Sequence, residues 1–392
     1  MRLKRQITMV ITLVFFLSVA VIPAAAAETA GVPAFSQELP AKSYILIEAS
    51  TGQVLAEQNA DQQMPPASIT KIMTMLLLME RIDAGEISLD DMVTTSEHAN
   101  SMGGTQIWLE VGEQMSVNDL LKATAINSAN DAAVALAEYM AGTEEAFVQL
   151  MNQKAAELGM TGTTFCNATG LDAEGHLSTA RDIAIMGREL LKYPLITEYT
   201  SVYMDSLRNG ETELVNTNKL VRFYEGCNGL KTGTTDGAGS CLCASATRDG
   251  MTLIAVSMGS ATSKERFASC RALLDYGFAN YALYQPDISA DSLPPIAVEQ
   301  GQKSTVPVTT DSYGGSVLVS KSSAGKIEQD VVLEETLTAP VTAGQEVGMI
   351  TYRIGDQTVA EQKIVATEDV PEVDFGFIFS GLFRNLIGLT GK

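Results

Sequence analysis

The sequence predicts an α+β protein: an antiparallel sheet with flanking helices and a helical insertion, then a small all-β domain, then a C-terminal amphipathic helix. Three observations carry this reading. Strand-like runs at both ends of the first 285 residues enclose a block with helical spacing. Residues from about 296 to 367 fall into short β-rich runs cut by Gly, Pro and Asp turns. The final stretch repeats large apolar side chains at three- and four-residue steps.

The chain begins with a segment that does not belong to the fold. Arg2, Lys4 and Arg5 precede an apolar run from Ile7 to Ile22, and small residues follow from Ala24 to Ala27. A basic start, an apolar stretch and an Ala-x-Ala end predict a secretory signal over residues 1–27, cut before Glu28. Export places the mature chain outside the cytoplasm, at the outer face of the cytoplasmic membrane or in the cell wall.

The next element is a hairpin, two strand-like runs in Tyr44 to Glu57 around Ser50-Thr51-Gly52. Pro65-Pro66 punctuates the chain, and Ala67 to Ile82 reads as a helix. Its stretch from Ile72 to Met79 is apolar nearly all round, which predicts a central buried helix. Leu120 to Thr124, Asp131 to Met140 and Glu144 to Leu158 keep helical spacing. Around Gly229 the period changes. Ser240 to Arg248 and Met251 to Met258 predict a second hairpin about Asp249-Gly250, and Ser263 to Tyr281 a closing helix. Pro286 and Pro294-Pro295 mark a linker. The predicted domains are therefore 28–285, 293–368 (β-rich) and a tail at 374–392.

In that tail, Phe375, Ile378, Phe379, Leu382, Phe383, Leu386 and Leu389 share one side. Fifteen helical residues reach only ~22 Å, short of a ~30 Å hydrocarbon core. The pattern predicts a helix lying in the membrane surface; packing on the domain is the alternative.

Charge excludes one class of partner. The formal net charge is −21, and losing the signal removes three positive charges and no negative ones, giving −24. Nucleic acid demands a basic surface, so it is not a ligand. Five cysteines (Cys166, Cys227, Cys241, Cys243, Cys270) leave at least one thiol unpaired. Cys241 and Cys243 alternate on a strand and face one side. The two histidines, His98 and His176, lie far from them, so buried free thiols are predicted and no metal or other cofactor.

Three short motifs carry chemistry. Ser68-Ile-Thr-Lys71 follows the two prolines, so Ser68 and Lys71 fall one helical turn apart. A serine hydroxyl is a poor nucleophile until a base takes its proton. Lysine serves only if its pKa falls from about 10.4, through burial, the helix end and a second cation. Lys231 can be that cation. Ser323-Ala-Gly-Lys326 has the same spacing but lies in a turn of the β domain, where nothing depresses a lysine pKa. Ser128-Ala-Asn130 sits between helical runs and can deliver a hydroxyl and an amide; the alternative is that it caps the helix near Asp131. Ser116-Val-Asn118 reads as a helix cap. Lys231-Thr232-Gly233 opens a strand, the glycine admitting a substrate backbone and the lysine attracting an anionic end.

Ser-x-x-Lys, Ser-x-Asn and Lys-Thr-Gly in this order resemble the penicillin-recognising enzymes. Within them the chain is similar to the low-molecular-mass penicillin-binding proteins of the serine-type D-alanyl-D-alanine carboxypeptidase family. The matching stretches are Pro66-Ala-Ser-Ile-Thr-Lys-Ile-Met-Thr, Asn127-Ser-Ala-Asn-Asp-Ala, His176-Leu-Ser-Thr-Ala-Arg-Asp, Asn228-Gly-Leu-Lys-Thr-Gly-Thr-Thr and, in the β domain, Ala339-Pro-Val-Thr-Ala-Gly-Gln-Glu-Val-Gly.

The resemblance implies a penicillin-binding/β-lactamase-like catalytic domain. It implies Ser68 as acyl-ester nucleophile, Lys71 as its base and Ser128 as proton relay. Asn130, Lys231, Thr232, Gly233 and Thr234 are implied to bind substrate, with the backbone N–H groups of Ser68 and Thr234 as oxyanion hole. Arg266 falls where the family places an arginine for the substrate's terminal carboxylate. The implied substrate is a peptidoglycan stem peptide ending in D-Ala-D-Ala, with β-lactams as inhibitors.

Two rivals remain at this stage. A serine β-lactamase needs a glutamate-positioned water, and the closest text, Glu213-Leu-Val-Asn216, lies too near Lys231. A catalytically idle wall-binding module would not need three intact motifs.

Overall fold

The computed structural model describes residues 32–285, 293–311 and 316–386. The predicted signal segment, Pro286 and Leu389 lie outside the described residues. Five antiparallel strands form the main sheet in the order Val54–Gln58, Ser43–Glu48, Met251–Ser260, Gly239–Arg248, Cys227–Thr235. Chain start and chain end of this unit thus meet in mid-sheet, where Tyr44 pairs with Ser257 and Ile47 with Ile254. The strand carrying Lys231 is an edge strand.

Because side chains alternate across a strand, each strand feeds two cores. Ile45, Ile47, Cys241, Cys243, Ile254 and Val256 face the helical insertion. Tyr44, Leu46, Leu242, Ala244, Leu253 and Ala255 face the helix Ser263–Asn280 through Cys270, Leu273, Leu274 and Phe278. The helix Lys71–Asp83 runs through the first core, with Lys71 to Met79 buried without a break, as its all-round apolar pattern predicts. Cys241 and Cys243 lie in that core as free thiols, and Cys270 in the other; Cys166 is exposed and Cys227 half-buried.

The β-rich unit has its own core around Ile350, Tyr352, Ile364 and Val370. Its larger sheet runs Val308–Thr310, Gln357–Ala366, Glu346–Ile354, Glu328–Leu333. One prediction needs correcting. The closing helix stops at Asn280, and Tyr281–Tyr284 is a strand paired with Val317–Ser320 of the β unit. Tyr281 turns extended (φ −119°, ψ 155°) and buries its ring beside Leu318. The tail helix spans Phe375–Leu386, and its described apolar side chains, Phe375, Phe377, Ile378, Phe379, Leu382 and Phe383, are all exposed. Phe375, Phe379 and Phe383 stack along one side.

Candidate active site

Ser68 sits on a 3-10 turn, Ala67–Thr70, that runs straight into the buried helix at Lys71. Ala67 takes a left-handed conformation (φ 50°), a strained state that persists where surrounding structure enforces it. Lys71 is fully buried, and its Nζ lies 3.1 Å from Ser68 Oγ. The same nitrogen donates to Asn130 Oδ1 at 2.6 Å and to the Thr169 carbonyl at 2.7 Å. A neutral amine has two N–H bonds and one lone pair. Asn130 and Thr169 take both N–H bonds, which leaves the lone pair for the serine proton.

The electrostatics favour that neutral form. Burial holds the Lys71 pKa well below its ordinary value, and the Lys231 charge pushes it further down, against an opposing pull from Asp131. Lys231 is itself buried, and burial with the Arg266 charge lowers it to about 7. Asp131 is the carboxylate that acts on Lys71. Its oxygens already accept from the backbone N–H groups of Ile107, Leu109 and Ala132.

Ser128 stands at the end of a π-helical turn, Ala123–Asn127, in a left-handed conformation (φ 68°) and is buried. The following helix starts at Asn130 with Ala129 as its cap residue and no side-chain cap. Neither Ser128 nor Asn130 therefore caps it. Asn130 instead spends its oxygen on Lys71 and its Nδ2 on the Gly103 carbonyl at 2.7 Å. Ser116 does cap its helix, accepting from the Asp119 N–H. Lys326 is exposed in the β unit, far from any such environment.

Lys231 does not open its strand; it lies in the middle of Cys227–Thr235, because pairing with the next strand already begins at Cys227–Ala246. Gly233 has a packing role that the sequence did not show. A Cβ there would come within 2.9 Å of the Pro66 carbonyl and the Ala67 Cβ, and 3.0 Å of Ser68 N. The glycine lets the edge strand press against the Ser68 turn, which brings Ser68 N beside the Gly233–Thr234 segment. Thr232 donates its hydroxyl proton to Thr217 Oγ1 at 2.6 Å.

Arg266 is 7% exposed, not a surface residue of its helix. Its Nη1 donates to the Gly233 carbonyl at 2.7 Å, to Thr234 Oγ1 at 2.8 Å and to the Cys241 carbonyl at 3.2 Å. It reaches the site through Thr234, whose side chain is the exposed member of the pair.

Sequence reading missed the segment that closes the floor of the site. Thr169 holds Lys71, and Gly170 (φ 86°) packs against Ala67 and Ser68 so closely that a Cβ would overlap the Ala67 carbonyl. Asp172 accepts from Thr235 Oγ1 at 2.6 Å and from Gly237 N at 3.1 Å, tying the segment to the end of the Lys231 strand. His176, kept near a pKa of about 4 by burial, accepts from Cys166 N at Nδ1. Its Nε2 therefore carries the proton and donates to Thr70 Oγ1 at 2.8 Å. The turn-rich text Asn167-Ala-Thr-Gly-Leu-Asp172 was the available signal.

With this geometry in view, comparison with known proteins is direct. The family model described as D-alanyl-D-alanine carboxypeptidase matches residues 27–262, and the one described as penicillin-binding protein 5, C-terminal domain, matches residues 288–372. The chain is 44% identical over 339 residues to D-alanyl-D-alanine carboxypeptidase DacF of Bacillus subtilis, covering 86% of this chain and 87% of that one. Penicillin-binding protein 5 of Haemophilus influenzae superposes with a TM-score of 0.73 at 30% identity, covering 87% of this chain and all of that one. Penicillin-binding protein D2 of Listeria monocytogenes, solved in its ampicillin-bound form, superposes with a TM-score of 0.57 at 34% identity, over 62% of this chain and all of that one. From its Ser68 turn to its β-rich unit, this chain belongs to the D-alanyl-D-alanine carboxypeptidase family of penicillin-binding proteins.

Proposed function

We propose that the enzyme removes the terminal D-alanine from peptidoglycan stem peptides through an acyl ester on Ser68. The observation that carries this is the Lys71 amine: buried, pushed toward neutrality, its two N–H bonds engaged and its lone pair turned to Ser68 Oγ. Ser68 Oγ attacks the carbonyl carbon of the penultimate D-alanine while its proton passes to Lys71. The oxygen that becomes negative lies between the N–H groups of Ser68 and Thr234. The C–N bond breaks, and the departing D-alanine amine takes the proton from Lys71 through Ser128. Water, deprotonated by Lys71, then hydrolyses the ester and releases the shortened peptide.

Asn130 holds the acyl-side amide. Lys231 and Thr234 meet the terminal carboxylate, with Arg266 polarising the Thr234 hydroxyl from behind. The lactamase rival loses support here. Glu213 is exposed on its strand, and Asp131 is committed to three backbone N–H groups, so neither holds a deacylating water. A β-lactam offers a strained amide and a carboxylate in similar geometry, so it acylates Ser68 too.

Residues 28–285 form the catalytic domain and 293–368 the β-rich one, with residues 1–27 removed on export. The tail 374–392 lies in the outer face of the cytoplasmic membrane. Its exposed phenylalanine stack supports that reading over packing on the body. Among the described residues no helix is long and apolar enough to cross a membrane. The test of the chemistry is D-alanine release from a pentapeptide. Ser68→Ala and Lys71→Ala should each abolish it with the circular dichroism unchanged, and near-normal turnover by folded Ser68→Ala would end the proposal.

A further inference from the structure

Trp108 is the one tryptophan of the chain, and it is 75% exposed. A large apolar side chain left in water is informative where the backbone beneath it is fixed. Here it is fixed unusually well. Trp108 takes a left-handed conformation (φ 59°), a true outlier for a bulky residue. The N–H groups on either side of it, from Ile107 and Leu109, both donate to the buried Asp131 carboxylate. Arg208, paired with both oxygens of Glu113, donates to the Ile107 carbonyl at 2.9 Å. Strain held by this many contacts points to use, not accident.

The place of the loop says what the use is. Its Gly103 and Thr105 carbonyls accept from the side chain and backbone of Asn130, each at 2.7 Å. The loop is therefore tied directly to Asn130, the residue read as holding the acyl-side amide. A Cβ added to Gly104 would lie 3.8 Å from the Leu171 side chain of the floor segment, and Leu171 is also exposed. An indole face carries a negative quadrupole, and the C–H face of a pyranose is weakly positive, so the two stack.

We propose that Trp108 is a stacking platform for a sugar ring of the substrate, the amino sugar to which a wall stem peptide is joined. This rests on the carboxypeptidase reading, since it is that substrate whose acyl side carries a sugar. The acyl D-alanine and the three residues before it separate the scissile bond from the sugar, a reach of up to about 14 Å, which puts the ring away from the reacting atoms and toward the rim of the cleft. Trp108 thus sets specificity for sugar-bearing over bare peptides and takes no part in bond breaking.

The test compares D-alanine release from muramyl pentapeptide with release from the same pentapeptide lacking the sugar. Trp108→Ala should lower the ratio of kcat/KM for the two substrates by about three- to tenfold, through KM, with Trp108→Phe retaining most of it. A second readout uses the native fluorophore. In the Ser68→Ala protein, muramyl pentapeptide should shift the Trp108 emission and bare pentapeptide should not. An unchanged ratio, or equal loss on both substrates, overturns the proposal. An equal emission shift with both ligands places the stem peptide on the indole and overturns the sugar assignment. Failure of the wild-type enzyme to release D-alanine from either substrate would instead sink the carboxypeptidase reading, and this subsite with it.

Discussion

Replacing Gly170 by alanine isolates what the floor segment does for Ser68. Two costs can be worked out. The first is conformational: a left-handed alanine costs about 1–2 kcal/mol, which in a domain of this size lowers Tm by roughly 2–8 °C. The second is steric. The new Cβ would overlap the Ala67 carbonyl and lie 2.9 Å from Ser68 N, against an ordinary contact of about 3.5 Å. Ser68 must then move by at least about 0.5 Å. Since a 1 Å misplacement can cost about a hundredfold, acylation should slow by at least about tenfold. Gly175 supplies the control: it has the same left-handed backbone (φ 80°) with nothing within 4 Å of an added Cβ. Gly175→Ala should lose only the conformational increment of Tm and keep its acylation rate. Labelling by a fluorescent penicillin gives the rate, and calorimetry gives Tm. If Gly170→Ala acylates as fast as Gly175→Ala, the floor segment does not position Ser68.

Four further outcomes follow. Carboxylate recognition needs Lys231 charged, and with its pKa lowered to about 7, kcat/KM should fall as pH rises through that value. Lys231→Arg, whose guanidinium stays protonated, should move this limb upward, and an unmoved limb assigns it to another group. Amidating the terminal D-alanine removes the charge-assisted contacts and should cost at least about tenfold in kcat/KM; equal efficiency on acid and amide would rule out carboxylate recognition. Deleting residues 374–392 should release active enzyme from liposomes, and continued flotation would place the anchor elsewhere. Penicillin should leave a covalent adduct on the Ser68 peptide that persists for minutes in intact-mass spectra, because the leaving amine stays tethered and blocks water. Rapid multiple turnover without an adduct would favour a β-lactamase.

Much of this protein was legible in the sequence because the signals are local. Period-two and period-3.6 patterns name the sheet, the buried helix and the tail, since the face a residue takes depends on its neighbours a few positions away. Ser68 and Lys71 are readable together for the same reason: three residues of helix fix their separation. What the sequence could not decide is which distant groups close on that pair. That Asn130 and Thr169 consume the N–H bonds of Lys71 depends on contacts 59 and 98 residues away in the chain. For Arg266 the resemblance supplied a role but no contacts, and only the packing of its helix under the sheet buries it against Gly233 and Thr234. The lowered lysine pKa values are likewise tertiary, because burial and the nearness of another cation belong to the assembled core and not to any stretch of chain. Residue types and short spacings thus paired Ser68 with Lys71, while the fold alone supplied the burial and the neighbouring charge that lower the lysine pKa.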